Sequence, residues 1–109
     1  MSAEEVLSKF SGRGFTHGEE LFVAAEAGAE LVEDCERRNL AVIGIDGFVR
    51  DADGVVAQPD LIADFSDADA ASWEEFRTAC NRDSLNFIRQ LPQERKLFLN
   101  FVIISEQEW

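Results

Sequence analysis

The chain has 109 residues, 46% of them hydrophobic, with nine Phe, two Trp and a net charge of -12. That length gives a single domain over residues 1–109, large enough to bury one core without disulfide staples. The hydrophobic content excludes a disordered acidic chain, and the charge disfavours nucleic acid and anionic membranes as partners while favouring basic protein surfaces.

The N-terminus opens Ser2-Ala3-Glu4-Glu5. It has neither the basic nor the apolar region of a signal peptide, which with the absence of a long apolar run points to a cytoplasmic protein. Ser2 with Glu5 forms a capping box, a side-chain pair that satisfies free N–H groups at a helix start. It predicts a short helix ending before Gly12 and Gly14. Thr16 with Glu19 has the same spacing and predicts a long second helix. Leu21, Phe22, Ala25, Ala29, Val32 and Cys35 form its apolar stripe. Arg37 and Arg38 suit its last turn, and Asn39 closes it.

Leu40 to Val49 follows as a Val- and Ile-rich strand. Asp53-Gly54 marks a hairpin turn into a second strand, Val55 to Phe65. Pro59 inside that strand cannot donate to a ladder, so it marks a bulge or an outer edge. Ser72 with Glu75 caps a third helix with the stripe Trp73, Phe76, Cys80, Phe87 and Leu91, ended by Pro92. Leu97 to Ile104 is a third strand, apolar on both faces and therefore central or covered. The order is α-α-β-β-α-β. It predicts an α+β fold: a small, mainly antiparallel sheet of about three or more strands with helices packed on it. Trp109 then docks as a tether or stands exposed.

The charge is segregated. Asp51, Asp53, Asp60, Asp64, Asp67, Asp69, Glu74 and Glu75 lie between positions 51 and 75 without one Lys or Arg, whereas positions 76 to 109 carry five basic and four acidic side chains. Val55, Val56, Leu61, Ile62, Phe65, Trp73 and Phe76 interleave with the acids and place them on a folded scaffold. Solubility alone explains charge but not its gathering in one place. Helix dipoles account in part for Asp67, Asp69, Glu74 and Glu75, so Asp60 and Asp64 are the hardest to explain by folding alone.

No catalytic motif competes with a binding face. His17 has no partner in sequence and reads as a surface histidine near the cap of the second helix rather than as a catalytic base. Gly12-Arg13-Gly14 lacks the strand and lysine of a phosphate loop. Asp51, Asp53 and Gly54 depart from calcium-loop spacing, since the Gly follows the second acid. Cys35 and Cys80 are too few for a disulfide framework and wrongly spaced for zinc; buried thiols explain them. No metal or other cofactor is expected. Asp46, Asp64 and Asn100 are polar residues inside apolar strands. In a suitable register they share one sheet face, either as a solvent-facing row or as an acid/base or ligand site.

Ala41-Val-Ile-Gly-Ile-Asp-Gly-Phe48, Pro59-Asp-Leu-Ile-Ala-Asp-Phe-Ser66 and Leu97-Phe-Leu-Asn-Phe-Val-Ile-Ile104, with the chain's size, acidity and helix-then-hairpin layout, resemble bacterial immunity proteins of polymorphic or contact-dependent toxin systems. The resemblance implies a non-enzymatic antidote that neutralises a cognate basic toxin domain, often a nuclease. It carries no catalytic residues across. The expected partner-binding residues are Asp46, Asp51, Asp53, Asp60, Asp64, Asp67, Asp69 and Trp73. Phe65 and Trp73, beside the carboxylates, are the aromatic anchors such a face would use. The alternatives are a small enzyme or ligand-binding domain using Asp46, Asp64 and Asn100, and a general acidic adaptor or nucleic-acid mimic.

Overall fold

The computed structural model describes residues 2–109. Helix α1 (Ala3–Lys9) begins at the Ser2/Glu5 capping box, with the Glu5 N–H donating to Ser2 Oγ and the Ser2 N–H to Glu5 Oε1. A 3-10 turn (Ser11–Arg13) leads into β1 (Gly14–His17), which pairs antiparallel with β2 (Glu20–Ala24). A second 3-10 turn (Ala25–Ala27) precedes α2 (Gly28–Arg37). Then come β3 (Leu40–Asp51), β4 (Gly54–Asp64), α3 (Trp73–Arg89), β5 (Phe98–Ser105) and a last 3-10 turn (Glu106–Glu108). The fold is α+β, with a five-stranded antiparallel sheet in the order β1-β2-β5-β3-β4.

This corrects the expected order α-α-β-β-α-β and the count of about three strands. The stretch assigned to the start of a long helix at Thr16 is a β-hairpin. His17 pairs with Glu20, leaving Gly18 and Glu19 as a two-residue turn, and Gly18 takes φ +64°. A glycine with positive φ at the first turn position suits the twist of a tight hairpin. The Thr16/Glu19 spacing is therefore a coincidence of turn and strand: Thr16 pairs with Leu21 across the ladder. The helix starts only at Gly28 and has no side-chain cap.

One face of the sheet carries the main core. Val23, Ile45, Leu61, Leu97, Leu99, Phe101 and Ile103 pack with Val6 of α1 and with Leu31, Val32 and Cys35 of α2. Asp34 lies on α2 with its side chain 4% exposed. Its carboxylate accepts from Lys9 Nζ at 3.2 Å, Arg37 Nη2 at 3.1 Å and Arg38 Nε at 3.0 Å. Burial pushes its pKa up, but these three cationic donors outweigh burial and hold it below the usual value of 3.8. The cluster ties α1 to α2 through charge-assisted bonds.

Strand β3 is longer than the partner on its outer flank. Residue Gly44 pairs with Asp64, the end of β4, so Leu40 to Val42 have β5 on one side and no strand on the other. Helix α3 fills that flank. The buried Asn81 accepts from the Val42 N–H at 2.8 Å and donates to Leu40 O at 3.0 Å and to Glu36 Oε1 at 2.7 Å. Ser84 Oγ donates to Val42 O at 3.3 Å. Beside this seam a second core forms from Ala41, Trp73, Phe76 and Cys80, with Ile43, Phe65 and Ile104 packed against it.

Two predictions follow from these buried polar groups. Asn81→Ala leaves the Val42 N–H and Leu40 C=O buried without partners, which costs roughly 2–4 kcal/mol in chemical denaturation; a loss under about 1 kcal/mol contradicts the edge-filling role. For Asp34 the folded pKa is depressed, so its contribution is fully present above the unfolded value and is lost as pH falls through the folded one. The stability gap between the native chain and Asp34→Asn therefore narrows as pH is lowered through and below the usual aspartate value of 3.8, measured by denaturant melts across pH; a gap independent of pH contradicts it.

Candidate functional site

Strand β4 is an outer edge of the sheet, and the acid-only segment runs through its hairpin, along it and into the loop beyond, with Asp60 and Asp64 on the strand itself. Asp51 and Asp53 sit at the β3–β4 hairpin, where Asp51 pairs with Gly54 and its Oδ1 accepts from the Asp53 N–H at 2.8 Å. The pairing makes Ala52 and Asp53 the turn, with Gly54 just beyond it at φ +130°. The ladder shifts register between Asp46 and Phe48, so Gln58, Pro59, Asp60 and Leu61 bulge out of it. Pro59 thus occupies both of the places open to it, a bulge and an edge. Asp60 pairs with Arg95 at 3.1 Å. Asp67 and Asp69 stand exposed in the loop before α3.

Asp46 and Asp64 point to the sheet face opposite the main core. Pairing places Asp46 between Asn100 and Ile62 in one cross-strand row, and Gly44 between Val102 and Asp64 in the next. A shallow depression of about 310 Å³ lies over these rows, lined by Ile43, Gly44, Asp46, Ile62, Asp64 and Val102 among others. Ile62 is 57% exposed and Val102 49%. Asp64 Oδ1 accepts from the Ser66 N–H at 2.8 Å and Ser66 Oγ at 2.6 Å. Those bonds favour the ionised form and lower its pKa.

Asp46, Asp64 and Asn100 do share this face, but they do not form one site. Strand β2 pairs with β5 only at Val23 and Ala24, and beyond that the strands separate. The Asn100 amide bridges the gap, donating to Leu21 O at 3.3 Å. It lines a different depression, with Leu21, Phe101 and Ile103. Asp64, held ionised, is the opposite of a carboxyl tuned to donate a proton.

Trp73 is not available as an anchor. It is 6% exposed and its indole N–H donates to Asn39 Oδ1 at 2.8 Å. Its ring lies 6.0 Å from those of Phe76 and Trp109. Phe65, half-buried, packs edge-on to Phe87. Trp109 is 52% exposed and stacks on Phe76 at 5.3 Å. The exposed apolar groups beside the carboxylates are instead aliphatic, Ile62 and Val102. Their interleaving with Asp46, Asp64 and Asn100 was the available signal, since alternate residues of a strand share a face.

The other half of this face is closed. Phe15 stacks on Phe22 at 5.3 Å and meets Phe98 edge-on, Phe22 meets Phe48 edge-on, and the Arg50 guanidinium lies 4.1 Å over Phe15. Among the described residues no three metal-ligating side chains gather, and no helix is long and apolar enough to cross a membrane. Comparison of the chain with protein-family models, curated proteins and solved structures finds no match.

The thiols are inert by environment. Burial, reinforced by Asp34, pushes Cys35 up to about 12. Burial, with Asp83 and Asp64, pushes Cys80 up to about 11, and its Sγ lies 3.3 Å from Phe65 O. Both stay protonated at neutral pH. Ellman's reagent should therefore leave the native protein unlabelled and titrate two thiols once it is unfolded; rapid labelling of the native state contradicts this.

Proposed function

We propose that this chain is an acidic protein-binding module whose edge strand β4 and adjoining sheet face engage a basic protein, in the manner of an immunity protein that neutralises a toxin domain. The observation that carries this reading is where the cations go. Lys9, Arg37 and Arg38 gather on Asp34, Arg13 pairs with Glu30, Arg77 with Glu36 and Arg82 with Asp83. Among the described residues, only the Arg95–Asp60 pair draws on the segment from Asp51 to Glu75. Most of the paired basic side chains thus offset acids of α2 and α3, and the segment from Asp51 to Glu75 keeps most of its charge uncompensated.

Such a surface speeds encounter with a basic partner and repels a second copy of itself. A nuclease cleft must attract phosphates and so presents the complementary charge. An acidic edge strand also resists strand-to-strand aggregation, which accounts for some of the carboxylates. It does not require exposed Ile62 and Val102 beside them. An apolar centre with a charged rim is the composition of a binding interface. The enzyme alternative loses support from Asn100, whose amide is committed to β2.

The test is co-expression and kinetic binding with the product of the adjacent upstream gene. The native chain should form a complex whose association slows steeply with salt. Reversing Asp60, Asp67 and Asp69 together to Lys should slow association by about tenfold or more at low salt and flatten the salt dependence. Unchanged association in that variant overturns the reading.

A further inference from the structure

The depression over Gly44 has a shape and chemistry that narrow what binds there, given the protein-binding reading above. Strand pairing sets six positions in two rows: Val102, Gly44, Asp64 and, beside them, Asn100, Asp46, Ile62. Gly44 contributes no side chain, so the middle of the first row is a hollow. Its walls are Val102 on one side and Asp64 on the other, with Asp46 and Ile62 along the strand. A methyl group built on Gly44 would come 3.5 Å from Val102 Cγ2 and 3.6 Å from Ala63 O, ordinary contact distances. The hollow is therefore space that a small side chain would fill without strain, and the native chain keeps it empty of its own atoms.

The two carboxylates stand at diagonal positions, since Asp46 pairs with Ile62 and Asp64 lies two residues further along β4. Diagonal residues on antiparallel strands are about 7–8 Å apart. No cation of the described residues pairs with either carboxylate. Asp64 Oδ1 is taken by Ser66, which fixes the carboxylate and leaves Oδ2 to an incoming donor. Exposed Ile62 and Val102 offer apolar surface to a methylene chain.

We infer that this hollow receives one arginine side chain of the basic partner, its stem against Ile62 and Val102 and its guanidinium between Asp46 and Asp64. A guanidinium presents donors along two edges and can face two separated carboxylates at once. A lysine ammonium is a point charge that reaches one of them. Arginine also tolerates an apolar wall better than the strongly hydrated ammonium does. The site lies on the open half of the face, clear of the Phe15, Phe22, Phe48 and Phe98 cluster.

The probe is the capped tripeptide Gly-Arg-Gly, titrated into labelled protein and followed by amide chemical shifts. Saturable shifts should centre on Gly44, Asp46, Ile62, Asp64 and Val102. The citrulline tripeptide, of the same shape but neutral, should bind at least tenfold more weakly, and the lysine tripeptide several-fold more weakly. Gly44→Val fills the hollow at unchanged net charge and should abolish the response. Val102→Lys, an exposed change that puts a competing cation at the same place, should do so as well even if the first variant is destabilised. Shifts spread evenly over Asp51, Asp53, Asp67 and Asp69, or native binding by either variant, overturn the site. Equal binding of the lysine tripeptide overturns the choice of arginine. The two readings fail separately. If Gly44→Val keeps the upstream-gene partner while the triple reversal loses it, the hollow is wrong and the binding module stands; if the triple reversal keeps it, the module reading falls.

Discussion

The arrangement depends on one side chain standing in for a strand. Leu40 to Val42 are buried in the middle of the molecule, yet β4 ends before it reaches them. Buried backbone groups without partners are expensive. Asn81 supplies both an acceptor and a donor, in the same pattern that a neighbouring strand would offer. That choice brings α3 against the flank of the sheet, where its first turns cover Ala41 and Ile104 on the second face and stop short of the row through Gly44. It also allows the chain to leave β4 at Asp64 and run through the acidic loop to Ser72. The hollow, the acidic edge and the second core all follow from where β4 stops. Asn100 repeats the device on the other flank of β5, where its amide spans the separation from β2.

Charge is distributed by the same topology. Lys9, Arg37 and Arg38 are committed to Asp34, Arg13 of the first 3-10 turn to Glu30, and Arg77 of α3 to Glu36 and Asn39. Two of these pairs, Lys9–Asp34 and Arg77–Glu36, join helix to helix. Strand β4 faces no helix on its outer side and has Arg95 alone to offset its acids. The imbalance that was visible along the chain therefore survives folding as an imbalance in space, which did not have to be so. Long basic side chains from positions 76 to 109 were numerous enough to fold back over it.

What was legible divides along physical lines. Signals that act within a few residues were readable: the Ser2/Glu5 and Ser72/Glu75 caps, the hairpin around Asp53, Pro59 at a bulged edge, and Asn39, which takes φ +62° at the end of α2. The same class of signal misled at Thr16/Glu19, because a residue of β1 and one of the two-residue turn fall at the capping-box interval without making its bonds. Gly18 was the competing cue, and a glycine inside a first helical turn should have weighed against the helix. Leu21 and Phe22 then joined the real stripe of α2 by accident, since two elements in sequence shared one apparent period. Pairings distant in sequence were not readable. That Asp46 and Asn100 lie side by side depends on β5 entering between β2 and β3. That Trp73 is interior depends on Trp109 and Asn39 closing over it.

Outside the second core, the face of the sheet opposite the main core has two parts with different obligations. At one end, Phe15, Phe22, Phe48 and Phe98 satisfy each other and Arg50 lies over the cluster, so the sheet supplies its own cover from short strands and no helix is needed. At the other end, the row through Gly44 has no large side chain at its centre and leaves Ile62 and Val102 to solvent. A sheet that needed only solubility would place polar residues at those two positions, as it does at Asp60 and Asp64 on the same strand. Retaining branched aliphatics there, around a glycine and between two fixed carboxylates, costs hydration without improving the core, because the core lies on the opposite face. On the proposed reading that cost is recovered when something apolar and positively charged covers the row, which is why the proposal rests on this half rather than on the acidic segment as a whole.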